Sequence, residues 1–367
     1  MNQRNKSRLA FFLPNLDGGG AQRVVLNLIK GISAHGYHID LILSQAKGPY
    51  LDQVPESVRL IDLNAARSLS SFLPLVHYLK RVHPEALLSS LHVNLIALWA
   101  RRWAGVSTRI VVSEHSVLSY TSQCAPTWRG RLLPQLTRFY RWADEVVAVS
   151  QGAGDHLAAT SGMPRQRIQV IYNPVVSPEL QQKLQDSLAH PWFEPGQPPV
   201  LLGAGRLAAE KDFLTLIHAF AQVRQKRPVR LMILGEGEER AVLETHIRQL
   251  GLEKDVSLPG FVDNPYAYMS RASLFVLSSK SEALPTVLIE ALYCGLPLVS
   301  TDCPGGAREI LADGRYGQLV PVGDLAALAQ AILVALDHPS PSLSQEAWHS
   351  FEMKAVVSQY LKVLLGR

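Results

Sequence analysis

The chain has 367 residues, of which 47% are hydrophobic and 18% are charged. This length and balance indicate a globular protein of roughly two domains. They exclude a membrane-spanning protein, because no apolar run reaches the about 18 residues that a transmembrane helix needs. A basic start leads into a short apolar run at 9–13 with no small-residue cleavage site after it, which predicts no signal peptide and a cytoplasmic location.

The net charge of +5 is distributed unevenly along the chain. Residues 1–180 hold 19 Lys and Arg against 11 Asp and Glu, whereas the remainder holds 17 against 20. A basic first half indicates a phosphate-rich partner or an anionic membrane surface, although a solvated basic face is the commoner explanation. No nucleic-acid-binding motif accompanies the charge, so no nucleic-acid partner is expected.

Apolar runs typical of buried strands alternate with helical patterns along the whole chain. In the first half the predicted strands are 9–13, 39–43, 58–63, 86–90, 109–113 and 145–150. After a proline-rich stretch at 190–199 the predicted strands are 200–203, 229–234, 273–277 and 298–301. The repetition predicts an α/β protein with two Rossmann-like, doubly wound parallel-sheet domains facing a cleft. Ligands of such sheets bind beyond the carboxyl ends of strands, so the loops there are the candidate sites.

Three consecutive glycines, Gly18, Gly19 and Gly20, lie between the first predicted strand and a helical pattern at 25–32. Glycine accepts positive φ and lets a ligand approach the backbone, and a helix start offers unpaired N–H groups to an anion. The glycines match neither the dinucleotide fingerprint nor a nucleoside-triphosphate loop. A phosphate site and a tight turn without a ligand both remain compatible with this stretch.

Two charged residues, Arg206 and Lys211, follow the first strand of the second half and flank a helix start. A guanidinium and an ammonium together can neutralise a departing diphosphate. Two solvated surface cations are the ordinary alternative.

Two glutamates, Glu282 and Glu290, surround Pro285 in a later loop of the second half. Proline suits the first turn of a helix, so we predict a helix from Pro285 to about Cys294. Glu290 then lies inside that helix among apolar residues, where burial is costly unless the carboxylate is paired. A pair of sugar hydroxyls or a salt bridge would each satisfy it.

Seven short motifs follow one another along the chain. They are DGGGAQR at 17–23, SEH at 113–115, YNPV at 172–175, GRLAAEKD at 205–212, LGEGEE at 234–239, SEALPTVLIE at 281–290 and TDCPGGAREI at 301–310. In this order they resemble the retaining glycosyltransferases of sequence family four. The resemblance implies the GT-B architecture, with an acceptor-binding domain at 1–177 and a nucleotide-sugar-binding domain at 178–350. It also implies a C-terminal helix at 351–367 that packs back towards the first domain.

The resemblance implies roles for the matching residues of the second half. Arg206 and Lys211 match the pair that binds the diphosphate of the donor. Glu290 matches the glutamate that holds the ribose hydroxyls, and Glu282 matches the one beside the transferred sugar. The stretch between them consists of Ala283, Leu284, Pro285, Thr286 and Val287. Its backbone amides are expected to point at the phosphates and the sugar from a helix N-terminus.

In the first half, Gly18, Gly19 and Gly20 belong to the motif that closes on the donor in the family. His115 matches the histidine beside the reacting sugar, although a histidine at a strand end is often only a packed side chain. Two positions depart from the family pattern, because many relatives have glycine where this chain has Ala283 and Asp212. The methyl group of Ala283 occupies space that glycine leaves open. We therefore do not infer the family's usual donor preference for this chain.

The resemblance implies a retaining glycosyltransferase that moves a hexose or N-acetylhexosamine from a nucleotide-diphosphate sugar, with UDP-sugar preferred to GDP-sugar. The implied acceptor is a glycan, with a polyprenyl-diphosphate-linked glycan of surface polysaccharide assembly as the expected form. Two alternatives stay open, a nucleotide-sugar epimerase of the same fold and a non-catalytic sugar-nucleotide or glycan-binding protein. Incubation with the donor alone identifies an epimerase, because it converts the donor without an acceptor.

No cofactor and no metal ion are expected. The sequence contains no Asp-x-Asp pair, and the histidines form no ligand set. Cys124, Cys294 and Cys303 lack metal-ligand spacing and are interpreted as reduced thiols. Arg206, Lys211 and helix dipoles are expected to stabilise the leaving diphosphate in place of a cation.

Residues 127–144, TWRGRLLPQLTRFYRWAD, combine apolar and aromatic residues with arginines. With Pro134 in the first turn of a helix, one face would carry Leu136, Phe139, Tyr140 and Ala143. Such a helix, in a basic half, predicts peripheral attachment to an anionic membrane on its cytoplasmic face. Packing of the apolar face inside the domain is the alternative.

Overall fold

The computed structural model of the chain describes residues 7–17, 19–117, 135–338 and 345–367. It contains two compact units, the first comprising Met1–Val175 with Phe351–Arg367 and the second comprising Val176–Ser350. The predicted boundary at 177/178 therefore lies two residues from the structural one, and the C-terminal segment belongs to the first unit.

The first unit contains a seven-stranded sheet with the order β3-β2-β1-β4-β5-β6-β7, and all neighbouring strands are parallel. The strands are β1 (Arg8–Leu13), β2 (His38–Leu43), β3 (Val58–Asp62), β4 (Ala86–Ser90), β5 (Arg109–Glu114), β6 (Glu145–Ala148) and β7 (Ile168–Val170). The intervening helices are α1 (Gly20–Ser33), α2 (Phe72–Val82), α3 (Asn94–Ala104) and α4 (Gln151–Ser161). Helices cover both faces of a parallel sheet, which is why β1 is buried from Leu9 to Leu13.

The second unit contains a six-stranded sheet with the order β10-β9-β8-β11-β12-β13, again with parallel neighbours. The strands are β8 (Val200–Ala204), β9 (Arg230–Leu234), β10 (Val256–Gly260), β11 (Leu274–Leu277), β12 (Leu298–Thr301) and β13 (Gln318–Val320). The helices are α5 (Pro178–Lys183), α6 (Phe213–Lys226), α7 (Arg240–Gln249), α8 (Pro265–Met269), α9 (Thr286–Tyr293), α10 (Ala307–Ile310) and α11 (Leu325–Asp337). The order reverses between β8 and β11, the point where doubly wound sheets bind ligands.

The prediction of two doubly wound parallel sheets is confirmed, and each predicted strand is found with ends that agree within two residues. The three strands that were not predicted, β7, β10 and β13, each lie at an edge of a sheet. Edge strands are partly exposed, so polar residues interrupt their apolar pattern, as in the half-buried stretch of β13.

The last helix, α12 (Met353–Leu365), belongs to the first unit and packs into its core. Its buried residues Val356, Val357 and Tyr360 join the same apolar core as β1 and α1. Arg109 of β5 donates a hydrogen bond from Nε to the carbonyl oxygen of Val363 at 2.7 Å. Among the helices that the structure describes, none combines the length and the apolar composition of a transmembrane span.

The structure describes only part of the predicted amphipathic helix at 127–144, because 127–134 lie outside the described residues. Of the described residues 135–144, Thr137–Trp142 form a 3₁₀ helix, and Thr137, Tyr140 and Ala143 face the interior. A 3₁₀ helix repeats every three residues, so the predicted α-helical face that joins Phe139 with Tyr140 is wrong. Phe139 and Trp142 are instead half-buried at the surface.

Candidate functional site

The loop that follows β8 carries Arg206 and Lys211 and is held in place by the loop after β9. The amide of Gly205 donates to the carbonyl oxygen of Leu234 at 3.0 Å, and the amide of Leu207 donates to that of Glu236 at 2.8 Å. The two loops therefore form one backbone scaffold at the carboxyl edge of the sheet. This scaffold fixes the start of the segment that presents both cations.

Asp212 ends this loop in the left-handed region, with a φ of 51°. Glycine adopts this conformation most easily. Aspartate tolerates it when its side chain finds local partners. Here Thr215 donates to Oδ2 of Asp212 at 2.9 Å, and Nζ of Lys280 lies 3.2 Å from Oδ1.

Lys211 and Glu282 meet, although 71 positions separate them in the chain. Nζ of Lys211 lies 2.6 Å from Oε1 of Glu282, and the hydroxyl of Ser279 donates to the same oxygen at 2.7 Å. The hydroxyl of Ser278 donates to the carbonyl oxygen of Lys211 at 2.8 Å, which ties the loops after β8 and β11 together. Only 10% of the Glu282 side chain is exposed. The structure thus brings together two of the site residues that the sequence predicts.

The loop after β12 fixes the backbone of Glu282. The amide of Glu282 donates to the carbonyl oxygen of Pro304 at 3.1 Å, and the amide of Gly306 donates to that of Glu282 at 3.2 Å. Gly305 has a φ of 120°, and a Cβ added there would lie 1.5 Å from the carbonyl oxygen of Glu282. Only glycine fits between these two segments, which gives a steric reason for Gly305 in the motif at 301–310.

Arg206 stands apart from the pair of Lys211 and Glu282. Its Nη2 donates to Oε1 of Glu210 at 2.6 Å, and 64% of its side chain is exposed. This hydrogen bond raises the pKa of Arg206 above its usual value. Each predicted cation is therefore paired with a different carboxylate, and the exposed guanidinium is accessible to an anion.

Glu290 is buried in the middle of α9, and the hydroxyl of Tyr266 donates to its Oε1 at 3.2 Å. Pro285 is the residue before the first turn of α9, and no side chain caps that end of the helix. The first N–H groups of a helix have no intrahelical acceptor, so those of Thr286 and Val287 point out of its N-terminus. Leu284 and Pro285 are buried, whereas Ala283 is half-buried.

In the first unit, His115 follows β5 and its Nε2 lies 3.0 Å from Oγ of Ser113. Burial lowers the pKa of His115 to about 4, so the imidazole is neutral at physiological pH. Gly18 lies outside the described residues. Gly19 precedes α1 with a φ of −80°, a value that other residues also adopt. A Cβ on Gly20 would meet nothing within 4 Å, so packing in the described residues does not require glycine there.

Several contributors to these sites were not predicted from the sequence. Glu210 lies four residues after Arg206, a spacing that indicates a helical ion pair. Ser278 and Ser279 follow β11 directly, where loop residues of such sheets bind ligands. Tyr266 and Tyr360 carry no local signal, because long-range packing alone brings them to Glu290 and Ser113.

The structure adds two observations on metal binding and thiols. Within the described ranges, no group of three or more His, Cys, Asp or Glu residues is arranged to hold a metal ion. Burial raises the pKa of the Cys294 and Cys303 thiols to about 12, so both remain protonated at neutral pH.

Two family models match the chain. The model for Glycosyltransferase Family 4 matches residues 18–177, and the model for Glycosyl transferases group 1 matches residues 185–349. The first range lies mainly in the first structural unit, and the second range lies within the second unit.

Individual proteins match along nearly the whole chain. A Campylobacter jejuni protein, N-acetylgalactosamine-N,N'-diacetylbacillosaminyl-diphospho-undecaprenol 4-alpha-N-acetylgalactosaminyltransferase, is 29% identical over 98% of this chain and 100% of its own length. The lipopolysaccharide core biosynthesis glycosyltransferase LpsE of Rhizobium meliloti is 26% identical over 95% of this chain and 96% of its own length. The crystal structure of Anabaena HepE with UDP and glucose has a TM-score of 0.79 at 22% identity, covering 98% of this chain and 99% of that one.

Proposed function

Because the chain belongs to the family-four glycosyltransferases, we propose that it transfers a hexose or N-acetylhexosamine from a nucleotide-diphosphate sugar to a glycan, with retention of configuration. The observation that carries this proposal is the junction of Lys211 and Glu282, which three loops of the second unit build beyond the carboxyl ends of β8, β11 and β12. A cation and a carboxylate at the switch point of a doubly wound sheet suit a substrate that carries both a diphosphate and a sugar.

The second unit supplies a partner for each part of the donor. Lys211 and Arg206 bind the diphosphate and stabilise the charge that develops as it leaves. The amides of Thr286 and Val287 add hydrogen bonds to phosphate oxygens, because a helix N-terminus favours anions. Glu290 accepts hydrogen bonds from the ribose hydroxyls, and Glu282 orients the transferred sugar. The acceptor hydroxyl attacks from the face that the diphosphate leaves, and an oxygen of the leaving group takes its proton.

A polyprenyl-diphosphate-linked glycan is the proposed acceptor, and UDP is the proposed nucleotide. The Campylobacter jejuni relative is named for transfer of N-acetylgalactosamine to a diphospho-undecaprenol-linked acceptor, which supports this class of acceptor and an N-acetylhexosamine. A neighbour of the same fold holds UDP, which motivates uridine as the first nucleotide to test. We propose no metal requirement, because Arg206 and Lys211 supply positive charge to the diphosphate.

A panel of nucleotide-sugars tests the proposed activity. The full chain is incubated with UDP- and GDP-linked hexoses and N-acetylhexosamines, with and without a polyprenyl-diphosphate-linked glycan, and with excess EDTA in parallel. The expected result is one glycosylated product from a UDP-sugar, formed in EDTA as well. Conversion of a donor to its isomer without an acceptor would identify an epimerase instead. Full loss of transfer in EDTA, restored only by a divalent ion, would contradict the metal-independent reaction.

The variant Glu290→Gln is expected to raise the donor KM about tenfold with a smaller effect on kcat. An amide accepts weaker hydrogen bonds from the ribose hydroxyls than a carboxylate does, a difference of about 1.4 kcal/mol. The measurement is the steady-state KM for the active donor. Glu244→Gln is the matched control, since Glu244 lies on α7 and pairs with Arg240 at the surface. An unchanged KM in Glu290→Gln would show that this carboxylate has only a structural role.

We further propose that the first unit attaches to an anionic membrane through an aromatic patch, defined as Trp99, Trp103, Phe139 and Trp142. Of these, Trp103 is 67% exposed and Trp99 is 41% exposed. Trp99 contacts two rings of the 3₁₀ helix, with centroid distances of 5.5 Å to Phe139 and 4.8 Å to Trp142.

Arginines accompany the aromatic patch. Arg102 lies over the ring of Trp142 at 5.1 Å, and Arg138 lies over the ring of Phe139 at 5.0 Å. Exposed tryptophans beside arginines suit the headgroup region of an anionic bilayer, where rings enter the interface and cations meet phosphates. An acceptor linked to a lipid would be available at that surface.

Liposome co-sedimentation tests this attachment. Wild type is expected to sediment with vesicles containing anionic lipid at low salt and to be released at high salt. The triple variant Trp103→Ser, Arg102→Gln, Arg138→Gln is expected to stay in the supernatant. Arg167→Gln with Arg248→Gln is the control, because it removes two exposed positive charges elsewhere. Equal binding of the triple variant and wild type would show that the aromatic patch is not the membrane contact.

A further inference from the structure

A chain of hydrogen bonds leads from the C-terminal helix to His115. The hydroxyl of Tyr360 on α12 lies 3.2 Å from Oγ of Ser113, and this Oγ lies 3.0 Å from Nε2 of His115. Tyr360 and Ser113 are fully buried, so bulk water does not substitute for these partners. The three groups belong to the same unit, although Tyr360 and Ser113 are 247 positions apart in the sequence.

Which group donates in each of these two hydrogen bonds follows from the protons that Tyr360, Ser113 and His115 carry. Burial raises the pKa of Tyr360 to about 12, so its hydroxyl carries a proton at neutral pH. In the part of the chain that the structure describes, this hydroxyl has a hydrogen bond to Oγ of Ser113 and to no other group, so its buried proton is satisfied only when Tyr360 donates to Ser113. The proton of Ser113 then goes to its other partner, Nε2 of His115, which must be the unprotonated nitrogen.

His115 carries one proton, because burial lowers its pKa to about 4. With Nε2 accepting from Ser113, that proton is on Nδ1. The imidazole therefore presents a neutral N–H donor on the side away from Ser113. A neutral donor binds a sugar hydroxyl or a phosphate oxygen without the desolvation cost of an imidazolium.

The carboxylate of the neighbouring Glu114 does not orient the imidazole of His115. Glu114 accepts hydrogen bonds from the amide and hydroxyl of Ser116 and from the hydroxyl of Tyr140 at 3.0 Å. Across the residues that the structure describes, no hydrogen bond joins the Glu114 carboxylate to the imidazole of His115. The orientation of His115 thus depends on a hydroxyl relay rather than on a carboxylate–histidine pair.

We propose that Tyr360 is a positioning residue, which acts through Ser113 to hold His115 in the Nδ1–H form and so presents an N–H donor to the sugar nucleotide. The part about the sugar nucleotide rests on the proposed function. The part about the tautomer rests only on the geometry of the first unit.

Nitrogen NMR of the histidine side chains in the full chain tests the tautomer without any substrate, with His115 assigned by the variant His115→Gln. Wild type is expected to show Nδ1 protonated and Nε2 unprotonated. In Tyr360→Phe, Oγ of Ser113 loses the donor that Tyr360 supplied, so Nε2–H of His115 can take its place and the His115 signals shift towards the other tautomer. Tyr78→Phe is the control, since it removes a buried hydroxyl that binds Asp40 in the same unit. An unchanged Nδ1–H signature in Tyr360→Phe would overturn the proposal.

Transfer kinetics test the consequence for the reaction. Tyr360→Phe and Ser113→Ala are each expected to lower kcat about tenfold, the effect of about one hydrogen bond. The double variant is expected to fall no further, because both changes break the same relay. Additive losses, or full activity of Tyr360→Phe, would overturn the positioning role. Absence of transfer by wild type with every donor would instead contradict the proposed function and leave the NMR result to decide the tautomer. Thermal unfolding of each variant checks that it is folded.

Discussion

Lys211→Ala is expected to lower kcat/KM for sugar transfer by at least about 10²-fold, on the scale of losing one preorganised donor to developing charge. In the structure the ammonium lies against Glu282, and the loop that carries it is tied to two neighbouring loops, so its position is fixed before the donor binds. Arg206→Ala is expected to have an effect of similar size, because its guanidinium is exposed and accessible to the diphosphate. Steady-state kinetics with the active donor give both values.

Lys280→Ala is the control for Lys211→Ala. Lys280 lies in the adjacent loop and pairs with Asp212, so its removal changes the local charge equally without touching Glu282. Thermal unfolding separates a folding defect from a catalytic one, since Lys211→Ala leaves the carboxylate of Glu282 without its cation. Near-wild-type turnover in both Lys211→Ala and Arg206→Ala would refute the assignment of the diphosphate site.

Gly305→Ala is expected to abolish transfer, with a loss of at least about 10²-fold, because it displaces the segment that carries Glu282. The added Cβ would lie 1.5 Å from a backbone oxygen of Glu282, a distance that no rotation of a side chain can relieve. The hydrogen bonds from Glu282 to Pro304 and from Gly306 to Glu282 would break with it. Transfer kinetics and thermal unfolding are measured on the same preparation.

Gly314→Ala is the matched control for this substitution. Gly314 also has a positive φ, of 96°, but a Cβ there meets nothing within 4 Å. The control therefore carries the strain of the left-handed region, about 1 kcal/mol, without the collision. We expect it to lose a little stability and to keep its transfer rate. Equal activity of the two variants would show that the contact between Gly305 and Glu282 does not support the site.

The interior of both sheets could be predicted from the sequence because central parallel strands are buried on both faces. Runs such as 9–13 and 298–301 are therefore continuous and apolar. The edge strand β7 is only three residues long and partly exposed, so it left no comparable pattern. The 3₁₀ form of the helix at Thr137–Trp142 was not predicted for a different reason. Apolar residues at that spacing are equally compatible with an α-helix.

The charged residues of the site were predicted because loops after strands carried unusual combinations of residues. Apart from Glu282, their partners were not predicted, because hydrogen bonds between distant segments leave no pattern in the local sequence. Pro304 and Gly305 reach Glu282 only because β11 and β12 are neighbours in the sheet. Tyr360 reaches Ser113 only because α12 returns to the first unit. Such contacts depend on the order of strands, which the alternation of elements does not specify.

Calorimetric titration of the full chain with UDP, with GDP in parallel, measures nucleotide binding by the second unit most directly. We expect one UDP to bind each wild-type chain. In the double variant Arg206→Ala, Lys211→Ala, we expect the dissociation constant for UDP to rise at least about tenfold. Lys280→Ala is expected to bind UDP as wild type does. Binding of UDP with the same affinity by the double variant and wild type would contradict a diphosphate site formed by these loops.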